Sequence, residues 1–292
     1  MQIESREIDG SFAHEVIGVR LWEGQEVPAI EALRDLWARC GVLVFRRQIL
    51  TEDELVAVSA AFGKPERIAR SDWASPYTPE ITVISNLKDA AARPIGGLGL
   101  GEVEWHTDQS YVADPATGAM LYALELPRNG GATSWANLQR AFEALPDRLR
   151  RVVEGKTGIF SYAKRLAGYQ SNDRAVTEEI RRKTPDVIHP LVHRHPVTGG
   201  KALYFDPTTT TGIVDMPDKD ATELLAELAA FATQPQFVYR HRWQVGDVVM
   251  WDNGFLLHRR DDFDPAERRF LKRTTILLPR ERHLVPAGSL AA

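Results

Sequence analysis

The residues best suited to chemistry are two histidines and an aspartate in two distant segments. Residues 105–108 are Trp-His-Thr-Asp, and residues 246–253 are Gly-Asp-Val-Val-Met-Trp-Asp-Asn, followed by His258. Residues i and i+2 of an extended segment point to the same side, so His106 and Asp108 can approach one ion together. Two imidazoles and one carboxylate form the set that binds Fe(II) on one face and leaves other positions open. The pattern predicts one mononuclear metal site made of His106, Asp108 and His258.

Each segment taken separately is a weak signal. A lone His-x-Asp is usually a polar turn, and a lone histidine such as His258 usually lies at the surface or behind a site. Arg269 and Arg273 follow in a basic stretch of the same region. A guanidinium can hold a carboxylate through two parallel hydrogen bonds, which suits an anionic co-substrate. The combination predicts oxygen activation at a non-haem iron.

In this order and spacing, the segments resemble the taurine dioxygenase-like (TauD/TfdA) family of Fe(II)- and 2-oxoglutarate-dependent oxygenases. The resemblance extends over nearly the whole chain, from about residue 8 to about residue 280. It is carried by residues 105–108, 130–133, 189–192, 195–199, 246–253, 258 and 268–275.

The resemblance assigns roles to individual residues. It makes His106, Asp108 and His258 the iron ligands. Arg269 matches the arginine that pairs with the distal carboxylate of 2-oxoglutarate, and Thr133 matches a hydroxyl that donates to the same carboxylate. Arg273 matches a second arginine, near the other end of the co-substrate or near an anionic substrate.

The resemblance also implies a reaction. The expected enzyme uses Fe(II), 2-oxoglutarate and O2 to hydroxylate or otherwise oxidise a small anionic organic substrate, with release of succinate and CO2. The retained carboxylate of Asp108 argues against halogenation, which needs that position for chloride. Two alternatives stay open: a zinc hydrolase using a metal-bound water on the same triad, and a non-catalytic jelly-roll binding protein.

The substrate is less well specified. Glu102 stands four residues before His106, where taurine enzymes carry a neutral amide, and residues 64–70 lack the histidine expected to meet a sulfonate. Taurine is therefore disfavoured. The candidate substrate contacts are Asn86, Glu102, Tyr162 and Arg165. The Gly/Ala-rich segment 86–101 is expected to be a mobile loop, and it and the charged segment 160–182 are expected to be lid-like.

Composition limits the other functions. The 292 residues carry a net charge of −4 and a pI near 6.1, which excludes the basic footprint of a nucleic-acid-binding protein. Cys40, the single cysteine, lies in an apolar stretch and is expected to be buried. With no signal peptide and no membrane-spanning run expected, the sequence predicts a cytoplasmic protein with a small-molecule substrate and no membrane partner. A homo-oligomer is compatible with it.

The local patterns predict a fold that is mostly β with flanking helices, a double-stranded β-helix (jelly roll). One domain is expected over 1–292. Helices are predicted at 30–40, 51–62, 137–145 and 218–233, and strands at 42–45, 81–85, 119–126, 187–192, 202–205, 237–243, 247–251 and 273–278. Trp105 and Trp251 are expected to be core aromatics supporting the site, and His241 is expected on the outer face of its strand.

Overall fold

The computed structural model describes residues 3–23, 26–68, 71–99, 103–168 and 177–278. Its strands are β1 Ser5–Glu7, β2 His14–Val16, β3 Val42–Phe45, β4 Lys64–Pro65, β5 Ile81–Ser85, β6 Gly97–Leu98, β7 Val103–His106, β8 Gly118–Glu125, β9 Thr133–Asn137, β10 Thr157–Phe160, β11 Val187–Pro190, β12 Val192–Arg194, β13 Lys201–Leu203, β14 Thr210–Ile213, β15 Val238–His241, β16 Val248–Asp252, β17 Leu256–Arg260 and β18 Phe270–Leu277.

The α-helices are α1 Val27–Cys40, α2 Glu52–Phe62, α3 Leu138–Glu143, α4 Asp147–Val153, α5 Tyr162–Ala167, α6 Glu178–Lys183 and α7 Asp218–Ala232, and the 3-10 helices are Leu21–Glu23 and Pro235–Phe237. Within the described residues, no helix is long and apolar enough to cross a membrane. The predicted class, mostly β with flanking helices, is confirmed.

Two sheets dominate the described part of the chain. The larger has nine strands in the order β1-β2-β3-β16-β8-β18-β5-β6, with β4 paired to β18. The smaller has four strands in the order β15-β9-β17-β7. Two minor sheets, β11-β10-β14 and β12-β13, complete the strand pairing. The strands β7 and β17, which carry both candidate histidine ligands, are therefore neighbours in the smaller sheet.

The larger sheet separates two hydrophobic cores, and β16 shows how. Successive side chains of a strand point to opposite faces. Val249 and Trp251 accordingly pack into the core shared with the smaller sheet, whereas Val248 and Met250 pack into the core under α1 and α2. Every residue of β16 is buried. Both faces of this strand are covered, which explains its continuous apolar sequence.

Of the helices over the outer core, α2 begins and ends where the sequence predicts, whereas α1 ends as predicted but begins at Val27, three residues earlier than expected. Thr51 caps α2 with a reciprocal capping box to Glu54, as predicted. Helix α1 ends at Gly41, whose φ of 76° is the left-handed conformation that glycine adopts without steric cost. Cys40 is buried at the end of α1, as expected, and burial raises the pKa of its thiol to about 12.

The two lid-like segments contain more regular structure than the sequence suggests. The described part of segment 86–101 includes β6, which pairs in parallel with β5, and a turn closed by hydrogen bonds to Asp89. Gly97 therefore takes part in strand pairing, and the mobility of the segment stays a prediction. Segment 160–182 contains α5 and the start of α6, while residues 169–176 lie outside the described residues.

Candidate active site

Strand pairing brings the two histidines together. Strand β17 lies between β7 and β9, and in this register His258 is opposite His106 on one side and opposite Trp135 on the other. The ring centroids of His106 and His258 are 4.1 Å apart. Asp108 lies in the turn that follows β7. The smaller sheet thus presents both imidazoles from adjacent strands, and the turn adds the carboxylate.

The turn carrying Asp108 is fixed by buried hydrogen bonds. The Thr107 hydroxyl donates to the Asn253 carbonyl over 2.7 Å. The carboxylate of Asp206 accepts from the Ser110 hydroxyl over 2.8 Å and from the Thr107 backbone N–H over 3.3 Å. Because these partners come from distant parts of the chain, the orientation of Asp108 is set by tertiary structure and not by the turn alone.

The three residues fit a metal ion. One ligand atom from each of His106, Asp108 and His258 lies within 4.8 Å of the others. His106 Nδ1 is 2.7 Å from the Glu104 carbonyl, a contact that needs the proton on Nδ1 and leaves Nε2 as a ligand. Asp108 Oδ2 is buried without a hydrogen-bond partner and lies 3.9 Å from His258 Nε2. Two imidazole nitrogens and a carboxylate oxygen suit Fe(II).

The electrostatics keep the triad in its ligand form. Burial, with the charges of Arg273 and Arg165, lowers the pKa of His258 to about 4, although Asp108 opposes the shift. Burial also lowers the pKa of His106 well below its ordinary value. Burial opposes ionisation of Asp108, but Arg273 and the other nearby charges hold its pKa well below the usual range. Both imidazoles are neutral and the carboxylate is ionised near pH 7, as metal binding requires.

Arg273 is hydrogen-bonded to one of the candidate metal ligands. Its Nη1 donates to Asp108 Oδ1 over 3.0 Å. It extends from β18, where it pairs with Leu121 and Thr82 in register. This side chain neutralises the ligand carboxylate directly, and it stands next to whatever anion approaches the triad.

Arg269 is a buried cation with unused hydrogen-bonding capacity. Arg269 is 1% exposed, and its Nε and Nη1 have no hydrogen-bond partner among the described residues. The guanidinium lies over the Phe263 ring at 5.8 Å from the centroid. Burial, helped by the charge of Arg260, lowers its pKa to about 9. A buried guanidinium with two unpaired N–H groups is arranged to receive an anion, since burying a charge without a partner is costly.

The space in front of Arg269 is kept open by Gly131. A Cβ built on this glycine would lie 3.3 Å from Arg269 Nε and 3.5 Å from its Cδ. Gly131 also has a φ of 64°, which L side chains rarely adopt. A side chain here would press on the guanidinium, so the conformation and the clearance both require glycine.

Thr133 lies on β9 across from Arg260 of β17. The indole of Trp243 donates to the Thr133 hydroxyl oxygen over 3.0 Å, which leaves the hydroxyl hydrogen available for an acceptor. Arg260 is buried, and burial lowers its pKa to about 10. Sequence reasoning missed Arg260, although its even spacing from His258 on one strand could have indicated it.

The structure describes some of the candidate substrate contacts but not all of them. The Tyr162 ring lies 4.8 Å from the Tyr111 ring. Arg165 Nη1 donates to the Thr208 hydroxyl over 2.7 Å, and its charge acts on all three residues of the triad. Arg165 therefore lies within electrostatic reach of the triad, and Tyr162, on the same helix α5, contacts Tyr111. Glu102 lies outside the described residues.

Asn86, a predicted substrate contact, is hydrogen-bonded to the chain itself. Its side-chain oxygen accepts from the Arg269 backbone N–H over 2.9 Å, and its Nδ2 donates to the Glu267 carbonyl over 2.7 Å and the Pro265 carbonyl over 3.2 Å. All of these contacts are to backbone. Asn86 holds the segment that leads into Arg269, because its polar atoms are already used there.

Two expectations about aromatic and histidine residues also have outcomes. Trp251 is buried, as expected, and Trp105 is half-buried under the Arg259 guanidinium, 5.1 Å from its ring. The expectation for His241 is wrong: it is fully buried and hydrogen-bonded to Tyr239 and Asp247. The strand alternates as predicted, but Arg240 takes the exposed side and His241 the inner one.

Comparison with known proteins identifies relatives along nearly the whole chain. The model of the "Taurine catabolism dioxygenase TauD, TfdA family" matches residues 4–275. The alpha-ketoglutarate-dependent 2,4-dichlorophenoxyacetate dioxygenase of Burkholderia sp. (strain RASC) is 31% identical over 300 residues, covering 99% of this chain and 98% of the relative. The (S)-phenoxypropionate/alpha-ketoglutarate-dioxygenase of Sphingobium herbicidovorans is 30% identical, covering 90% of this chain and 91% of the relative.

Solved structures are similar over the same length. A putative alpha-ketoglutarate dependent 2,4-D dioxygenase from Burkholderia xenovorans superposes with a TM-score of 0.79 at 30% identity, covering 96% of this chain and 98% of that one. AAD-2, solved in complex with Mn(II) and N-oxalylglycine, gives a TM-score of 0.80 at 28% identity, covering 97% of this chain and 100% of that one.

Proposed function

The chain belongs to the TauD/TfdA family, and from that premise we propose that it oxidises a small organic acid with an apolar body. It is a 2-oxoglutarate-dependent dioxygenase that uses Fe(II) and O2, an oxidoreductase like its relatives. The specific proposals concern which residues hold each group and what kind of substrate the site receives.

One observation carries the proposal. A convergent His-Asp-His cluster and a buried guanidinium with two unpaired N–H groups occur in the same chain. A metal-dependent hydrolase needs the cluster and a water but has no use for the buried arginine. A binding module needs neither. A co-substrate with two carboxylates uses both, one end at the metal and the other at Arg269.

We assign the iron to His106, Asp108 and His258. Bound there, iron with 2-oxoglutarate and O2 supplies the oxidising power, and 2-oxoglutarate leaves as succinate and CO2. His106 is oriented by the Glu104 carbonyl, and the Asp206 hydrogen bonds fix the turn that carries Asp108. The chain therefore contributes ligand geometry that is set before any ligand arrives.

We assign the distal carboxylate of 2-oxoglutarate to Arg269 and Thr133. Arg269 offers its unpaired N–H groups, and Thr133 offers a hydroxyl whose oxygen already accepts from Trp243. N-oxalylglycine, present in the AAD-2 structure, carries two carboxylates on a backbone of the same length as 2-oxoglutarate. Arg260 adds positive charge beside Arg269.

We assign the substrate anion to Arg165, with Arg273 close to the triad. Relatives act on aryloxy acids by name. The Tyr111 and Tyr162 pair supplies an aromatic surface near Arg165 on the same helix as Tyr162, which suits a substrate with a carboxylate and an aromatic or other apolar body. Segments 86–101 and 160–182 would close over it, and Glu102 directly follows the first of them.

The remaining proposals concern organisation. We propose a double-stranded β-helix formed by the two opposed sheets, and one domain over 1–292. A cytoplasmic location suits both a reduced iron and a lone buried thiol. A homo-oligomer is compatible with this arrangement.

The proposal is tested by succinate release from 2-oxoglutarate in the presence of Fe(II) and O2. Candidate substrates are aryloxyacetates, aryloxypropionates, fatty acids, sulfonates and sulfate esters. We expect an aryloxy acid to accelerate succinate release most. Hydrolysis of an ester by the zinc-loaded protein, without 2-oxoglutarate consumption, would favour the hydrolase instead.

The substrate assignment has its own control. Arg165→Leu keeps the aliphatic length of the side chain but removes its charge, so KM for carboxylate substrates should rise strongly while a neutral amide analogue is unaffected. Arg148→Leu, an exposed arginine paired with Glu227 at the surface, is the matched control and should change neither. An equal loss for acids and amides would remove Arg165 from anion recognition.

A further inference from the structure

A continuous row of aromatic rings leads from the metal site into the core. The ring of His258 lies 5.2 Å from Trp251, Trp251 lies 5.7 Å from Trp135, and Trp135 stacks on Tyr239 at 6.1 Å between centroids. Rings at these separations have their edges in or near contact. The row begins at a proposed iron ligand and crosses from β17 through β16 and β9 to β15.

At its far end, the row of rings meets a hydrogen-bonded cluster of polar side chains at Tyr239, and filling the core does not require polar residues there. The Tyr239 hydroxyl is 2.6 Å from His241 Nδ1, and His241 Nε2 is 3.0 Å from Asp247 Oδ2. Arg46 Nη1 donates to the same Asp247 oxygen over 2.5 Å. His241 and Asp247 are fully buried. Apolar residues of similar volume would often be as stable here, because desolvation of a buried ion pair offsets much of its attraction.

We propose that Trp251, Trp135 and Tyr239 form an electron-transfer path that delivers electrons to the iron centre, with His241 receiving the Tyr239 proton. Its function is to discharge the iron-based oxidant when no substrate is bound, so that the oxidising equivalent leaves the ligand sphere. The path rests on the proposed iron site but not on the identity of the substrate.

The hydrogen-bond partners of the three rings differ in a way that gives the path a direction. Trp251 Nε1 donates to the Asn253 amide oxygen over 2.9 Å, and an amide is a poor base. Trp135 Nε1 is buried, and no residue in the described part of the chain is hydrogen-bonded to it. Neither indole can readily lose its proton when oxidised, so both act as relays. Among the three rings, only Tyr239 contacts a base. It is therefore the ring at which the radical is formed and held.

The step balances in electrons and protons. Tyr239 loses one electron, which passes through Trp135 and Trp251, each oxidised and reduced again in turn. The iron-based oxidant gains that electron. The phenol O–H bond breaks, its proton forms an N–H bond at His241 Nδ1, and a neutral phenoxyl radical remains. The resulting imidazolium faces Asp247 through Nε2, so its charge is compensated.

Charges around Tyr239 support this end point. Carboxylates of Asp247, Asp9 and Glu15 all act on the Tyr239 hydroxyl, against one cation, Arg46. Burial together with these carboxylates raises the pKa of Tyr239, so the phenol keeps its proton at rest. Of these carboxylates, Asp247 also acts on His241 and stabilises the positive charge that the proton brings there, against the opposing effects of burial and Arg46.

The first test uses the iron-loaded enzyme with 2-oxoglutarate and O2 but no primary substrate. Freeze-quenched samples are examined by electron paramagnetic resonance, and digested protein by mass spectrometry. We expect a tyrosyl radical signal in the wild type. Tyr239→Phe should lose this signal, and oxidative modification near Trp251 and His258 should rise several-fold per succinate released.

Two further variants separate the path from packing. Trp135→Phe keeps an aromatic core residue but removes the middle relay, so the tyrosyl signal should fall several-fold although Tyr239 is intact. Tyr122→Phe removes a buried tyrosine hydroxyl in the other core and should leave the signal unchanged. A tyrosyl signal that survives Tyr239→Phe, or damage that Trp135→Phe does not alter, would overturn the proposal.

A second test does not depend on iron chemistry. Ultraviolet photo-ionisation of the metal-free protein produces tryptophan radicals, and transient absorption follows their conversion to a tyrosyl radical. The wild type and Tyr122→Phe should show the conversion, and Tyr239→Phe should lose most of it. His241→Gln should slow it several-fold, because the proton acceptor is gone. Equal conversion in all four proteins would exclude the path even if succinate release in the first test is normal.

Discussion

Two buried histidine–aspartate pairs in this molecule have the same residue types and different surroundings. His258 and Asp108 are 3.9 Å apart at their nearest nitrogen and oxygen, too far for a hydrogen bond, whereas His241 and Asp247 are hydrogen-bonded at 3.0 Å. Asp247 Oδ2 also accepts from Arg46 and from the Gln244 backbone. The polar atoms of His258 and Asp108 leave a space between them, whereas those of His241 and Asp247 are in direct contact.

The difference shows what identifies a ligand site. An unpaired buried oxygen is not sufficient, because Asp247 Oδ1 lacks a partner as Asp108 Oδ2 does. At Asp108, however, the carboxylate converges with two imidazoles, those of His106 and His258, and one ligand atom from each lies within 4.8 Å of the others. Convergence of three ligand atoms around a common space separates the metal centre from an internal ion pair.

Removal of one of the three candidate metal ligands is expected to have the largest effect on turnover and on Fe(II) binding. Asp108→Ala or His258→Ala should abolish turnover and weaken Fe(II) binding by orders of magnitude, because either change leaves only two of the three ligands. Titration calorimetry with Mn(II) under nitrogen and succinate assays measure the two effects. His241→Gln, at the other pair, should keep metal binding near wild type. Near-normal turnover in His258→Ala would remove it from the metal site.

The next largest effect is expected at the co-substrate end. Arg269→Ala should lose about 2–5 kcal/mol of 2-oxoglutarate binding, by analogy with other buried charged contacts. This corresponds to roughly 30- to 4,000-fold in the apparent KM for 2-oxoglutarate, with Fe(II) binding largely intact. Arg268→Ala, an exposed neighbour paired with Glu125, is the control. An unchanged co-substrate dependence would move the anchor, most directly to Arg273.

The second pair is expected to affect stability instead of chemistry. Asp247→Ala leaves Arg46 and His241 buried or half-buried without their carboxylate, which should cost about 3–5 kcal/mol in the free energy of unfolding. Urea denaturation of the metal-free protein measures this loss. Metal affinity of the folded variant should stay near wild type, and a large fall in it would mean that the two pairs are coupled.

Asp252 is a third buried aspartate, and its ionisation makes the stability of the protein depend on pH. Within the ranges that the structure describes, neither an imidazole nor an arginine is bound to Asp252, and burial raises its pKa to about 7 although the Gly254 N–H opposes the shift. The Asp252 carboxyl ionises near pH 4 in the unfolded chain and near pH 7 in the folded protein. Between these two pH values the folded state therefore holds one more proton than the unfolded state. Its contribution to stability therefore falls as pH rises through this window, by about 1.4 kcal/mol per pH unit.

Asp252→Asn removes this ionisation but keeps an oxygen for the Gly254 N–H. The variant should match the wild type near pH 4 and exceed it in stability above pH 7, as measured by urea denaturation across pH. A parallel pH profile for the two proteins would mean that Asp252 is ionised in the folded state.

Much of this arrangement was predictable because it depends on local sequence. Strands β3 and β5 were predicted with the observed bounds, and the capping box at Thr51 located the start of α2. The residues of the triad follow from the spacing of His106 and Asp108 and from the segment before His258. Such features need only neighbouring residues in the chain.

The misses share a different origin. His241 was placed on the wrong face, because which side of a strand is buried depends on the sheet that covers it and not on alternation alone. Asn86 was expected at the substrate, but its partners at residues 265–269 are distant in sequence. The contact between Arg165 and Thr208 is likewise a tertiary one. Local patterns locate such polar residues but do not identify their partners.

The ion pair between Arg273 and Asp108 bears on the order in which the enzyme is assembled. In a zinc finger the metal must arrive before the chain can fold, because the ligands repel or remain unpaired without it. Here an arginine compensates the carboxylate, and both imidazoles are neutral in the folded protein. The polypeptide can therefore reach its native structure first and acquire iron afterwards. Folding of this chain then does not require the metal, and the folded metal-free protein already holds the candidate ligands in the protonation states that metal binding needs.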